Sequence, residues 1–158
     1  MVPALRIREA SPADAGEVLT LQRAAFVREA QRYGDPFLPP LVEDLAQVAA
    51  AVADEAVLVL VAVDGTRLVG SVRLRVAGTT GHVGRLAVAP DRQREGLGSA
   101  LLQAVQDAAP PQVRAFALFT GAESAGTVAR YERAGYVRSG ESVDERGVRL
   151  VHLLRARP

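Results

Sequence analysis

The chain contains no cysteine and no lysine, and these two absences exclude several kinds of chemistry. Without cysteine there is no disulfide, no thiolate nucleophile and no cysteine-based metal site. All 19 basic residues are arginine. Schiff-base catalysis and the Walker-type phosphate loop both need a lysine, so they are excluded as well.

Long apolar runs and a large excess of one charge are also missing. No apolar stretch approaches the roughly 18 to 20 residues that cross a bilayer, and the first residues lack the basic segment and apolar run of a secretory signal. The formal net charge is +1, too small to indicate a nucleic-acid or membrane-surface partner. We therefore expect a cytoplasmic protein that forms one domain over residues 1–158.

Hydrophobic periodicity and turn signals divide the chain into alternating strands and helices. Strands are predicted over residues 5–8, 56–63, 68–76, 82–88, 113–120, 136–143 and 148–155. Helices are predicted over about 12–30, 41–53, 97–108 and 124–134. Hairpins that alternate with crossover helices indicate an α/β (α+β) fold with a mixed sheet flanked by helices.

The most informative segment is LAVAPDRQREGLGSALL at residues 86–102. It has the pattern of a strand, a loop over residues 93–99 and an amphipathic helix. Gly96 and Gly98 allow the backbone to turn tightly and to approach a ligand closely. Free N–H groups where a helix begins suit phosphates. Leu101 stands where the dinucleotide-binding fingerprint needs a third glycine, which weakens a Rossmann interpretation.

Two segments resemble the GNAT superfamily of acyl-CoA-dependent N-acyltransferases. Gln93, Gly96 and Gly98 fit the superfamily's Gln/Arg-x-x-Gly-x-Gly/Ala signature. Residues 127–138, TVARYERAGYVR, are similar to its later helix, which ends in Tyr followed by Gly-Tyr/Phe. The order of elements also agrees from end to end. The resemblance implies a mostly antiparallel mixed sheet of about seven strands with about four helices, and acetyl-CoA as co-substrate.

The resemblance also implies which residues bind the CoA moiety. The backbone of Leu86, Ala87 and Val88 would pair with the pantetheine arm, and one of these N–H groups would polarise the acyl carbonyl. Many relatives have an asparagine on the CoA arm where this chain has Ser124, so Ser124 is expected to make that contact. Main-chain N–H groups around the pyrophosphate would come from Gln93, Arg94, Glu95, Gly96, Leu97, Gly98 and Ser99.

Two side chains are candidates for the proton transfers. The resemblance implies that Tyr131 donates a proton to the departing thiolate, a role that suits a phenol because it stays protonated at neutral pH; a core aromatic is the alternative. His82 stands where the superfamily commonly has an acid that accepts the proton of the amine, and histidine is suited to this near neutrality. A partly exposed histidine after a glycine turn explains His82 equally well. Glu29, Asp35 and Glu123 are further candidates.

The implied reaction is direct transfer of an acyl group, most simply acetyl, to a primary amine. The acceptor, a small molecule or a peptide, is expected between residues 28–41 and the C-terminal strands. Phe119 replaces a glutamate found in some members that acetylate protein N-termini, which disfavours that subgroup. The resemblance also suggests a homodimer that forms through the last strands. No metal site is expected, because His82 and His152 do not have the spacing of metal ligands. A non-catalytic acyl-CoA sensor and a fold that binds NAD or ATP stay as alternatives.

Overall fold

A computed structural model describes residues 5–158, in which seven strands form one mixed sheet. The strands are β1 (Leu5–Glu9), β2 (Val57–Asp64), β3 (Arg67–Ala77), β4 (Thr80–Val88), β5 (Ala115–Gly121), β6 (Val137–Val143) and β7 (Arg149–Ala156). Across the sheet they stand in the order β1-β2-β3-β4-β5-β7-β6. Among these strands only the β4–β5 pair is parallel. The predicted mixed, mostly antiparallel sheet is therefore confirmed.

The four predicted helical regions are all present, and two of them divide in the structure. The first region begins with a 3-10 turn and divides at Phe26 into α1 and α2. The second divides at Glu43 and Asp44 because Asp44 caps α4, accepting a 2.8 Å hydrogen bond from the Gln47 N–H. The helices of residues 5–158 are α1 (Ala15–Ala25), α2 (Val27–Tyr33), α3 (Pro39–Val42), α4 (Leu45–Ala53), α5 (Leu97–Asp107) and α6 (Ala125–Arg133).

Helices cover both faces of the central strands. Val61 of β2 packs with Val18 of α1 and Val48 of α4, whereas Leu60 belongs to the cluster around Leu101 of α5. This double covering explains why β2 is apolar at nearly every position rather than at alternate ones. Every helix within residues 5–158 is too short or too polar to cross a lipid bilayer.

A cluster of three charged residues and one glutamine connects the helices to the sheet on the α1 side. Glu43, between α3 and α4, accepts two hydrogen bonds from Arg73 of β3 (2.6 and 2.9 Å) and one from Gln22 of α1 (3.0 Å). Arg85 of β4 places its Nε 3.6 Å from the same carboxylate. Burial raises the pKa of Glu43, but the hydrogen bonds and the two positive charges outweigh burial and lower the pKa to about 2. We call these four residues the Glu43 cluster.

Stability should therefore depend on the ionisation of Glu43. At pH 7 we expect Glu43→Gln to lower the free energy of unfolding by roughly 2 to 4 kcal/mol, because two partly buried arginines lose their anionic partner. The carboxylate contributes fully above the ordinary glutamate pKa of 4.5, and its contribution is lost as the pH falls toward 2. Urea unfolding between pH 7 and pH 2.5 should show the variant and the wild type converging.

Glu132→Gln is the matched control, because the Glu132 carboxylate lies in an exposed 3.6 Å ion pair with Arg138. Exposed pairs contribute little to stability, so this variant should follow the wild type at every pH. A stability difference for Glu43→Gln that stays constant down to pH 3 would contradict the assigned role of the carboxylate.

Candidate active site

β4 and β5 pair only at their first residues and then separate. The parallel pairing covers three positions, Thr80–His82 with Ala115–Ala117. Both strands continue beyond this point, β4 to Val88 and β5 to Gly121. The carboxyl halves of the two strands therefore border an opening inside the sheet, which we call the β4–β5 opening. An extended ligand can hydrogen-bond to backbone groups that a neighbouring strand would otherwise occupy.

The last residues of β4 direct backbone groups into the β4–β5 opening. The Ala89 N–H donates to the Val69 carbonyl on the β3 side at 2.9 Å. Because N–H groups alternate in direction along a strand, those of Val88 and Leu86 face the opposite side. The Val88 carbonyl faces the same way and accepts a 3.3 Å hydrogen bond from the Gln93 side-chain amide. Gln93 therefore occupies a hydrogen-bonding position of the kind that a bound chain would use.

The predicted trio of Leu86, Ala87 and Val88 is thus divided by direction. Ala87 pairs with Ser71 of β3, so its backbone groups are used within the sheet. The N–H groups of Leu86 and Val88 are directed away from β3, to the side of the β4–β5 opening. Sequence spacing alone could not separate them, because the direction of each group depends on the register with β3.

A β-bulge in β4 lies where the opening begins. The register with β3 changes from Arg73 opposite Gly84 to Ser71 opposite Ala87, so β4 has one residue more than β3 in this interval. Arg85, inside the bulge, has a left-handed backbone with φ of 53°. This conformation costs a non-glycine residue roughly 1 to 2 kcal/mol. Bulges change the direction of side chains and are frequent beside active sites.

The 93–99 loop presents N–H groups at the beginning of α5. Gly96 and Arg94 have left-handed backbones, with φ of 84° and 66°, which turn the chain from the loop into the helix. The Ala100 N–H donates to the Gly96 carbonyl at 3.0 Å. The N–H groups of the three residues between them, Leu97 to Ser99, precede this bond and have no acceptor in the helix. Together with the helix dipole they suit a phosphate group.

The side chains in the 93–99 loop and directly before it have different surroundings. Arg92 is 2.6 Å from Asp64 and 3.0 Å from Glu95, so its charge and that of Glu95 are used within the protein. Leu97 is buried in the core, which leaves only its backbone for a ligand. Arg94 is exposed and is the loop arginine that fits the predicted polyanion.

Arg130 of α6 lies beside the 93–99 loop, and the sequence analysis did not identify it as a candidate. A Cβ added to Gly98 would lie 2.8 Å from Arg130 Nη1, so the glycine allows the guanidinium to approach the beginning of α5. A cation is unfavourable at the positive end of a helix dipole. An anion bound between the Arg130 guanidinium and the beginning of α5 would interact favourably with both. The sequence feature that could have indicated Arg130 is its position directly before Tyr131.

Tyr131 belongs to the core cluster against which Leu86 and Val88 pack, and its side chain is largely buried. Burial raises the pKa of Tyr131, with a smaller opposing effect from the charge of Arg130, so the hydroxyl keeps its proton at neutral pH. Its ring packs edge to face against Tyr136, with centroids 5.8 Å apart. The Tyr136 hydroxyl donates a 2.6 Å hydrogen bond to Gln106, as expected of a packing residue.

His82 lies at the closed end of the β4–β5 opening. It is the last residue of β4 that pairs with β5, opposite Ala117, and it also pairs with Arg75 of β3. Its side chain is exposed. Leu86 follows four residues later, which is about 13 Å along a strand. The structure therefore separates His82 from the N–H groups that face the opening.

Ser124 is fully buried, and its hydroxyl already has partners. Ser124 Oγ donates to Glu29 of α2 at 2.9 Å and is 2.9 Å from the Tyr33 hydroxyl. The Tyr33 hydroxyl also accepts a 3.0 Å hydrogen bond from the Glu123 N–H. These bonds hold α2 against the loop between β5 and α6. The predicted contact of Ser124 with a CoA arm would require its hydroxyl to leave these partners, and its side chain does not cap α6.

Two of the three further acids predicted on the acceptor side are paired with arginines. Glu29 is 3.2 Å from Arg32. Asp35, after α2, forms an ion pair with Arg146 of the β6–β7 turn, and Arg146 also pairs with Asp144 at 2.9 Å. The third acid, Glu123, is exposed. The ring of Phe119 packs against the ring of His152, whose Nε2 is 2.7 Å from Ser142 Oγ.

Within the described residues, no group of three His, Asp or Glu side chains is placed to hold a metal ion.

Residues 27–154 match the model of the acetyltransferase (GNAT) domain. No curated protein matches the sequence. Among solved structures, the ribosomal-protein-S18-alanine N-acetyltransferase from Escherichia coli is similar, with a TM-score of 0.78 and 18% identity over 97% of this chain and 94% of that one. Spermidine N-acetyltransferase from Vibrio cholerae, solved with CoA and spermine, has a TM-score of 0.76 and 20% identity over 97% of this chain and 95% of that one.

A third similar structure is the PaiA N-acetyltransferase from Thermoplasma acidophilum in complex with coenzyme A. Its TM-score is 0.75, with 14% identity over 94% of this chain and 98% of that one. At such identities these likenesses show the fold, and the GNAT-like architecture is confirmed. Membership follows from the domain match, which extends over most of the chain and includes the β4–β5 opening, the 93–99 loop and Tyr131. The chain therefore belongs to the GNAT acetyltransferase family.

Proposed function

We propose that this protein transfers an acetyl group from acetyl-CoA to a primary amine by direct attack of the amine. The proposal rests on one observation: β5 stops pairing with β4 at His82, so that the end of β4 borders the β4–β5 opening and leads into the 93–99 loop and the beginning of α5. This arrangement offers donors to an amide-containing arm and, further along, to a diphosphate. The similar Vibrio cholerae and Escherichia coli enzymes are named as N-acetyltransferases of spermidine and of an alanine of ribosomal protein S18, so both names state acetyl transfer to nitrogen.

Each residue of the site has a distinct proposed role. Acetyl-CoA, when bound, supplies an acyl group that is activated as a thioester. Leu86 and Val88 hold the arm and the acyl carbonyl oxygen through their backbone N–H groups, which are already oriented before the reaction. Backbone groups of Gln93 to Ser99 hold the diphosphate together with Arg130. Holding both reactants in one geometry is the main source of rate acceleration.

Tyr131 is the proposed general acid. As the bond between the amine nitrogen and the acyl carbon forms and the carbon–sulfur bond breaks, Tyr131 donates its proton to the departing sulfur. Its buried position suits this role because the raised pKa keeps the hydroxyl protonated at neutral pH. His82 is the proposed acceptor of the amine proton, through water because of its distance from Leu86.

Thiol release tests the proposed function directly. We expect free CoA thiol and an acetylated product when the protein is incubated with acetyl-CoA and a panel of primary amines. The product is checked by mass spectrometry. Tight binding of acetyl-CoA without thiol release for any amine would instead support a non-catalytic sensor of acyl-CoA. Thermal stabilisation by NAD or ATP but not by CoA would refute the proposal.

Replacement of Tyr131 by Phe removes only the proposed proton donor. We expect kcat to fall about 100-fold or more, within the range for loss of general acid catalysis, whereas the affinity for CoA should not change. Tyr136→Phe is the matched control, because it removes a neighbouring hydroxyl that bonds to Gln106; it should lower the Tm and leave kcat unchanged. Unchanged turnover by Tyr131→Phe would show that another group protonates the thiolate.

Replacement of Arg130 by Gln removes the charge beside Gly98. We expect CoA to bind about 10-fold more weakly, the loss of one charge-assisted hydrogen bond. The affinity for dephospho-CoA, which lacks the 3′-phosphate but keeps the diphosphate, should fall by the same factor in Arg130→Gln. Arg133→Gln, on the exposed part of α6, serves as control and should bind CoA like the wild type. Equal CoA affinity for Arg130→Gln and the control would remove Arg130 from the site.

Replacement of His82 by Ala tests its proposed role. If the imidazole accepts the proton of the amine, His82→Ala should have a lower kcat/KM and an unchanged affinity for CoA, because His82 lies away from the 93–99 loop. A variant with the kcat/KM of the wild type would exclude His82 as the base.

A further inference from the structure

We infer that Arg85 binds a carboxylate of the acceptor, so that the preferred substrates are amino acids or other amines that carry a carboxylate. This inference rests on the proposed function and specifies its substrate class. It is supported by the position of Arg85 and by the charge balance of the Glu43 cluster.

The position of Arg85 places a guanidinium close to the reacting centre. Arg85 directly precedes Leu86, whose N–H faces the β4–β5 opening. Its left-handed backbone in the bulge turns the side chain toward Glu43, on the face of the sheet that α1 covers. The proposed donor site begins on the same strand, so an amine held at the acyl group would be a short distance from this guanidinium.

The charges of the Glu43 cluster leave Arg85 with an incomplete partner. Arg73 uses both carboxylate oxygens of Glu43 at 2.6 and 2.9 Å, whereas Arg85 is only 3.6 Å from one of them. Two arginines thus share one carboxylate, and the cluster has an excess of one positive charge. The side chains of Arg73 and Glu43 are 13% exposed and that of Arg85 is 27% exposed, so the excess charge is only partly hydrated.

The Arg85 guanidinium also has an unmet hydrogen-bonding group. Its Nε is buried and has no hydrogen-bond partner among residues 5–158. Burial lowers the pKa of Arg85, which reflects the cost of holding this charge away from water. A substrate carboxylate beside the exposed part of the guanidinium would supply the missing charge, and arginine matches the planar geometry of a carboxylate.

Matched pairs of acceptors test the inference. Amino acids with one to five carbons between amine and carboxylate are compared with their amides, and kcat/KM is measured for each. At the best chain length the wild type should favour the acid over the amide by roughly 10- to 100-fold, the range for a charge-assisted hydrogen bond. The amines of an acid and its amide differ in basicity, but this difference is the same for every variant. It therefore does not affect a comparison of the acid-to-amide ratio between variants.

Arg85→Gln should abolish the preference, and Arg85→Lys should keep part of it because the charge is retained. Arg75→Gln is the control: it removes the same charge from an exposed residue of β3 that pairs with Asp54 at 3.6 Å, and it should keep the preference of the wild type. Circular dichroism and the Tm establish that each variant folds. No preference in the wild type, or a preference that survives in Arg85→Gln, would overturn the inference.

Failure of the inference and failure of the proposed function give different results. Acetylation of amides and acids at equal kcat/KM by the wild type refutes the role of Arg85 and leaves the transferase intact. Absence of thiol release with every amine refutes the transferase. In that case calorimetry on the CoA-loaded protein measures the affinity for an N-acetyl amino acid and for its amide. If Arg85→Gln, but not Arg75→Gln, binds the acid more weakly than the wild type does, the carboxylate site is supported. If the wild type and both variants bind the acid with the same affinity, the carboxylate site is refuted.

Discussion

The early separation of β4 from β5 is the constraint on which the rest of the site depends. A fully paired parallel sheet would use the backbone groups of both strands. Here the pairing stops after three positions, while β3 and β7 hold the outer edges of the two strands. Donors are thereby fixed in the interior of a sheet without being satisfied by it. Such donors need little reorganisation when a ligand arrives, which is the condition for strong electrostatic stabilisation.

The helices on one side of the sheet complete this arrangement with charge and burial. α5 begins where β4 and its loop end, so its free N–H groups continue the series of strand donors. α6 places Arg130 beside the start of α5 and Tyr131 in the adjacent core. The two neighbours on α6 thus have opposite environments. Arg130 places a positive charge beside the start of α5, whereas Tyr131 is kept neutral by burial.

The other side of the sheet is organised by the Glu43 cluster and by α2. Glu43 joins α1, the α3–α4 junction and two strands, and the hydrogen bonds of Ser124 hold α2 against the β5–α6 loop. Within the Glu43 cluster two arginines share one carboxylate, so the excess charge of the cluster is positive. Arg85, at the bulge that also opens the sheet, is the less tightly paired of the two arginines. Substrate preference and strand geometry therefore have one structural origin in our proposal.

The sequence by itself determined the order of elements, the double-sided burial of β2 and the glycine loop before α5, because each depends on residues that are neighbours along the chain. Tertiary structure decided the rest. Only the register with β3 distinguishes Leu86 and Val88 from Ala87, and only the pairing with β5 places His82 at the closed end of the opening. The partners of Ser124 and the approach of Arg130 to Gly98 come from elements distant in sequence. No local pattern encodes such contacts, since they depend on how helices and strands pack together.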